Sequence, residues 1–232
     1  YQGKDRPAGT VFSSEIEGVF QGGTSARPSC VWMVYKRGKL WYNTPYYGRL
    51  CPEEESGMGK LIVFEGTDGS GKATQSRLLC DELTRRGISF RKLEFPRYKE
   101  ESSALIRLYL GGAFGSDPED VNAYAASVFY SVDRYASYKQ DWGAYYEQGG
   151  LLIADRYTTS NAVHQTGKLP PEQRDAFLDW LFHFEYDLLG LPEPTRVLYL
   201  DMPTEATEQM MRLREAATHT KADIHEKDEA YL

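Results

Sequence analysis

A doubly wound α/β fold, with a parallel sheet covered by helices on both faces, is predicted for this chain by three observations. The apolar run Leu61-Ile62-Val63-Phe64 leads into Gly66-Thr67-Asp68-Gly69-Ser70-Gly71-Lys72 and then into an amphipathic stretch. That is the order strand, G-x-x-x-x-G-K, helix, in which backbone N–H groups wrap a phosphate and the lysine reaches the outer phosphates. A second run, Leu151-Leu152-Ile153-Ala154, ends in Asp155-Arg156-Tyr157. It puts a carboxylate and a guanidinium at a strand end, where open α/β sheets bind ligands. From Met58 onward, strand-like and helix-like segments alternate, the pattern of parallel sheets with crossovers. Together these features point to phosphoryl transfer rather than nucleotide holding alone.

The elements follow in order. Residues 60–65 are expected as a strand, and 72–86 as a helix with Leu79 and Leu83 on one face and Gly87 as its stop. Residues 90–95 form the next strand, ended by Pro96, and a short helix near 104–110 stops at Gly111-Gly112. Pro118 opens a long helix in which Val121, Ala125, Val128, Val132 and Tyr135 repeat at helical spacing. Gly149-Gly150 closes it before the strand at 151–155. Residues 171–189 predict an amphipathic helix burying Phe177, Trp180, Leu181, Phe184 and Leu188. A fourth strand at 196–200 and a helix at 205–217 complete the pattern.

Composition narrows the function. The 232 residues carry a formal charge of −7 with no long Lys/Arg run, which argues against a protein that coats nucleic acid. No stretch approaches the length of a membrane span, and no charged-then-apolar leader opens the sequence. Cys30, Cys51 and Cys80 are scattered without metal spacing, as expected in a reducing cytoplasm. Residues 1–57 differ from the rest: they are rich in Gly and Tyr, hold seven Lys/Arg against six Asp/Glu, and show no sustained period. The chain starts at Tyr1, and Met58 precedes the first clear strand, just after the purine-codon run Glu53-Glu54-Glu55. Residues 1–57 are therefore expected to be a disordered leader or non-native upstream translation, with a small Tyr/Trp-rich module as the rival. Residues 58–232 are expected to form the α/β domain that carries these motifs.

The phosphate loop, Gly66, Thr67, Asp68, Gly69, Ser70, Gly71 and Lys72 with Ala73 and Thr74, is expected to bind the donor ATP. At position 73 alanine stands where P-loop enzymes usually present a hydroxyl to Mg²⁺. Metal binding must then lean on carboxylates, with Asp155 and Asp68 as candidates.

Several separated motifs give residues 58–232 a closer resemblance. The loop, Phe95-Pro96-Arg97-Tyr98, Phe129-Tyr130-Ser131-Val132-Asp133-Arg134, the stretch 155–161 with His164, and Asp223-x-x-Glu226 resemble bacterial thymidylate kinases in content and order. The resemblance implies a P-loop nucleoside-monophosphate-kinase-like fold and transfer of phosphoryl from ATP to dTMP. It also implies Mg²⁺, a cytoplasmic homodimer, and no nucleic-acid or membrane partner. By the same resemblance, Asp68 meets the acceptor 3′-hydroxyl and the metal region. Phe95, Arg97 and Tyr98 form the turn that greets the acceptor phosphate, and Tyr130 stacks on thymine. Arg134 and Asn161 hydrogen-bond the base, while Ser160 and His164 lie beside the nucleotide, His164 where relatives carry Tyr or Phe near the sugar 2′ carbon.

Asp155 positions the metal, with Glu226 a further candidate, and Arg156 holds the acceptor and transferring phosphates together. With glycine at position 69, the chain resembles the branch that supplies a lid cation, here Arg214 or Lys221. Relatives continue past Leu232 with a helix, a strand and a closing helix, so the final strand and helix are expected to be missing. A deoxynucleoside kinase shares the loop and an Asp-Arg pair, but Arg97 would then have no phosphate to meet. A catalytically silent nucleotide-binding module is the alternative from another class, supported by Ala73 and an arginine-free 216–226.

Overall fold

A computed structural model describes residues 57–200, the backbone of 34–36 and 39–41, and Met210. The helix expected at 205–217, the lid residues Arg214 and Lys221, Glu226, the chain end and nearly all of the 1–57 segment lie outside the described residues. Within that segment, β1 (Val34–Lys36) and β2 (Lys39–Trp41) pair antiparallel, Val34 opposite Trp41.

The main sheet starts with β3 (Lys60–Gly66), buried along nearly its whole length. Its alternate residues serve two faces. Ile62 and Phe64 pack on Leu79 and Leu83 of α1 (Lys72–Arg85), while Leu61 and Val63 pack with Trp142 and Tyr157. Next come β4 (Arg91–Glu94), α2 (Ala104–Leu110) and α3 (Ala123–Ser137). A π turn over Tyr138–Trp142, α4 (Gly143–Glu147), β5 (Leu151–Asp155), α5 (Thr158–Thr166), α6 (Pro171–Phe182), a second π turn over His183–Leu188 and β6 (Arg196–Leu200) follow.

The four strands are parallel in the order β4-β5-β3-β6. The chain leaves β3 toward β4 on one side and leaves β5 toward β6 on the other. The carboxyl ends of neighbouring β3 and β5 are therefore the topological switch point, where such sheets take ligands. Register puts Phe64 beside Asp155, so the phosphate loop and the Asp155-Arg156 pair leave the sheet side by side.

Two helical expectations are corrected. The helix opened by Pro118 is instead a one-turn 3₁₀ segment over Pro118–Asp120 followed by a separate α3. Two successive side-chain caps split it: Asp117 accepts from the Glu119 N–H at 2.8 Å, and Asn122 from the Ala125 N–H at 2.9 Å. The apolar repeat is not its buried stripe, for Val132 and Tyr135 are 44% and 37% exposed while Ser127, Ser131, Asp133 and Arg134 are buried. The inward face of α3 is polar because it serves hydrogen-bonded partners on α5 and the second π turn.

The helix predicted over 171–189 keeps α-geometry only to Phe182 and then widens into a π turn. Phe177 and Leu181 are buried as expected, Trp180 and Phe184 are half-buried, and Leu188 is 66% exposed. The third residue on the Phe177, Leu181 stripe is Glu185, fully buried.

Candidate active site

The phosphate loop takes its shape from glycine. Gly66 has φ 145° and Gly71 φ 91°, both in the region that favours glycine. A Cβ at Gly66 would also lie 2.7 Å from the Leu200 carbonyl oxygen. Helix α1 starts at Lys72 with no side-chain cap, and its first i→i−4 bond is Gln75 N–H to the Gly71 carbonyl, 2.9 Å. The N–H groups of Lys72, Ala73 and Thr74 thus lack partners within the helix and, with the helix dipole, suit an anion. Lys72 is buried and its ammonium donates to the carbonyls of Gly66 and Thr67, both at 2.7 Å. Burial, then Arg156, push its pKa down to about 8, against the opposing pull of Asp68, Glu65 and Asp155.

Arg156 joins the two strand ends. Its Nη2 is ion-paired with Asp68 of the loop, and Lys72 lies 3.6 Å from the same carboxylate. Its Nη1 donates to Ser160 Oγ at 3.2 Å and faces His164 Nε2 at 3.3 Å, an arrangement in which that ring nitrogen presents its lone pair. Burial works against the guanidinium charge, but Asp68, Glu65 and Asp155 outweigh it and hold its pKa above the ordinary value. The backbone of Arg156 is left-handed, φ 66°, the one such non-glycine residue among those described.

At Asp155, burial raises the carboxyl pKa while Lys72 and Arg156 oppose the shift. Asp155 is a half-buried hard-oxygen donor of the kind magnesium takes, Ala73 contributes none, and no group of three or more His, Cys, Asp or Glu side chains that could hold a metal occurs among the described residues.

The residues expected to take the acceptor lie on the turn at 95–98, α3 and α5. Asp133 is buried and accepts from the Arg97 N–H at 2.9 Å and from the Ser102 and Ser103 hydroxyls at 2.6 and 2.8 Å. It thereby fixes the turn bearing Arg97, whose side chain also lies 3.4 Å from Glu100. Phe95 is only 4% exposed and packs edge-on against Tyr157, ring centroids 5.8 Å apart. It belongs to the core cluster of Leu93, Trp142 and Tyr157, on which this turn rests. Tyr98 is exposed. Tyr130 is half-buried against the cluster of Tyr109, Val121 and Ala126.

Arg134 is 3% exposed, and Glu185 holds it at two nitrogens, Nε at 2.8 Å and Nη2 in a close ion pair. Glu185 also accepts from Ser131 Oγ at 2.7 Å and Thr158 Oγ1 at 2.6 Å. Nη1 is the one Arg134 nitrogen that Glu185 does not hold. Asn161 donates from Nδ2 to the Ser127 carbonyl at 3.2 Å, and its Oδ1 is buried without a hydrogen-bond partner. Buried acceptors are ordinarily satisfied, so this oxygen suits an N–H supplied by a ligand.

Glu65, Asp133 and Glu185 acquire roles that sequence reasoning did not assign. The signal for Glu65 was a carboxylate in an otherwise apolar strand, and for Glu185 an acid on the Phe177, Leu181 stripe.

A phosphate loop and an Asp-Arg pair meeting at the switch point of a parallel sheet, beside a cluster of buried polar side chains on α3 and α5, define a P-loop nucleotide kinase. A family model described as thymidylate kinase matches residues 64–232. Thymidylate kinase of Mycobacterium tuberculosis is 31% identical over 176 residues, covering 72% of this chain and 78% of that protein. The human thymidylate kinase is 31% identical over 147 residues, covering 62% of this chain and 61% of that protein. A solved thymidylate kinase structure from Candida albicans, 25% identical, matches 66% of this chain and 67% of that one with a TM-score of 0.49. The chain belongs to the thymidylate kinase family.

Proposed function

We propose that this chain transfers the γ-phosphoryl group of ATP to dTMP, giving dTDP and ADP. The observation that carries the reading is the Arg156 guanidinium. It touches the phosphate loop through Asp68 and the α5 pocket through Ser160 and His164, so one cation spans donor and acceptor sides. Phosphoryl transfer depends mainly on alignment and charge neutralisation, which Lys72, Arg156 and the α1 amides supply. In this reading Lys72 and residues 66–74 hold ATP, and Arg97 receives the acceptor phosphate bidentately. Tyr130 stacks on thymine, while Arg134 Nη1 and Asn161 Oδ1 distinguish it from cytosine. Ser160 and His164 flank the sugar and phosphate.

Asp155 and Asp68, with Glu226 as a further donor, would hold Mg²⁺, which when bound neutralises charge on the phosphates. Arg214 or Lys221 would complete the charge from the lid. Leu105 and Leu108 on α2 and Val132 and Tyr135 on α3 are exposed apolar pairs, which supports a homodimer. The acidic balance supports a partner set free of nucleic acid, and no described helix is long and apolar enough to cross a membrane. A small-molecule kinase using ATP fits the cytoplasm. Residues 58–232 constitute the kinase domain on this account, with 1–57 an extension.

ADP release measured across dTMP, dUMP, dCMP and thymidine tests the reading. The expected order is dTMP first, with dUMP behind by roughly 10–200-fold for the missing methyl and dCMP lower still. A preference for thymidine would instead establish a nucleoside kinase. Binding of ATP and dTMP without turnover would establish the silent module.

A further inference from the structure

We infer that Glu65 is a positioning residue for Arg156, holding its left-handed backbone and steering its guanidinium through Ser160; the inference rests on the proposed dTMP kinase reading. Glu65 ends the β3 face that carries Leu61 and Val63, a face otherwise committed to the core, and it is 3% exposed. A carboxylate at such a depth is costly unless hydrogen bonds saturate it. Three groups do so, and all three lie within the four residues after Arg156. The Tyr157 N–H donates to Oε1 at 3.0 Å, Thr159 Oγ1 to Oε1 at 2.7 Å, and Ser160 Oγ to Oε2 at 2.5 Å.

The geometry brackets the unusual residue on both sides. The Arg156 N–H donates to the Phe64 carbonyl at 3.0 Å, and the next N–H along the chain is the one taken by Glu65. Left-handed backbone at a non-glycine residue is unfavourable and persists only where neighbouring bonds over-determine it. Here those bonds come from two consecutive residues of β3, one through its main chain and one through its side chain.

The side-chain route is equally direct. Ser160 gives its single proton to Glu65, so its oxygen must be an acceptor toward Arg156 Nη1, which donates at 3.2 Å. Glu65 thus fixes both where the Arg156 main chain leaves the sheet and which way one of its nitrogens points. Asp68 fixes the other nitrogen from the opposite side. With glutamine at 65, the amide NH₂ facing Ser160 would be a donor, so the hydroxyl proton would lose its acceptor and the serine would turn.

Steady-state kinetics and equilibrium dTMP binding on the full chain test the inference with Glu65→Gln, Ser160→Ala, the double variant and Thr159→Val. Displacing an aligning group by about 1 Å costs on the order of 10²-fold. The expected result for Glu65→Gln is a kcat lower by about 10–100-fold with the dTMP dissociation constant within about threefold. The Ser160→Ala loss should not multiply with that of Glu65→Gln, because both act through one chain of bonds. Thr159→Val removes a bond to the same carboxylate but none to Arg156, and should stay within about threefold of wild type.

An unchanged kcat in Glu65→Gln, multiplying losses, or an equal loss in Thr159→Val would overturn the role. If thermal melting shows Glu65→Gln unfolded, Ser160→Ala alone decides: a kcat within threefold of wild type overturns the route to Arg156, and a loss near tenfold sustains it. Absence of dTMP turnover in the wild type would sink the functional reading, whereas equal rates in variant and wild type sink only the role of Glu65.

Discussion

Replacing Glu185 with alanine is the sharpest structural perturbation available in the acceptor pocket. The side chain is fully buried and pairs with two nitrogens of Arg134, itself 3% exposed. Its removal leaves a guanidinium charge in the interior without its counter-charge, a loss that typically costs about 3–5 kcal/mol. The Ser131 hydroxyl adds little, because it already reaches the Ser127 carbonyl at 2.9 Å. Thr158 loses the carboxylate to which it donates at 2.6 Å. For a domain of this size each kcal/mol shifts the melting temperature by about 2–4 °C, so the expected drop is roughly 6–20 °C by calorimetry. The double replacement Arg134→Met with Glu185→Leu removes both charges and should recover most of that loss. It should nevertheless keep a raised KM for dTMP, because the base contact proposed for Arg134 goes with the guanidinium. A melting shift below about 2 °C in Glu185→Ala, or a double variant with wild-type KM, would refute the assignment of the pair.

Two further perturbations address the donor side. The Lys72 pKa stands at about 8 instead of the ordinary 10.5 because burial and Arg156 disfavour the ammonium. The charge that meets phosphate is therefore lost as pH rises through about 8, and kcat/KM for ATP should fall above that point. Lys168, bonded to Tyr109 and Val121 away from the loop, is also pushed down to about 8, so Lys168→Gln must leave the alkaline limb where it is. A limb that moves with Lys168→Gln would assign it to the wrong lysine. Ala73→Ser places a hydroxyl at the start of α1, where P-loop enzymes present one to Mg²⁺, and should lower the half-saturating Mg²⁺ concentration; an unchanged value would contradict any need for a donor at position 73.

The frame of this site was legible because it rests on local signals. An apolar run, a glycine-spaced loop and a second run ending in Asp155-Arg156 are each contiguous, and β3, α1 and β5 appear where those signals put them. What failed depended on partners distant in sequence. The apolar repeat of α3 looked like a core stripe, yet Glu185, more than fifty residues away, turns the polar side with Ser131 and Arg134 inward. The π turn at His183–Leu188 shifts the helical face by one residue per turn, which no hydropathy period anticipates, and it leaves Leu188 outside. Glu65 carried a visible signal, an acid in a buried strand, but its meaning required the three donors after Arg156 to be brought against it. The contact of Phe95 with Tyr157, sixty-two residues on, was likewise invisible in its motif.

The central claim is that one cation-rich site joins ATP to a nucleoside monophosphate. Following the label from ATP carrying a radioactive γ-phosphate in the presence of dTMP tests this most directly. The account predicts one labelled dTDP for each ADP formed, with the label on the β-phosphoryl group. Labelled inorganic phosphate in place of labelled dTDP, or label entering thymidine at its 5′ position when the nucleoside is offered with dTMP, would contradict it.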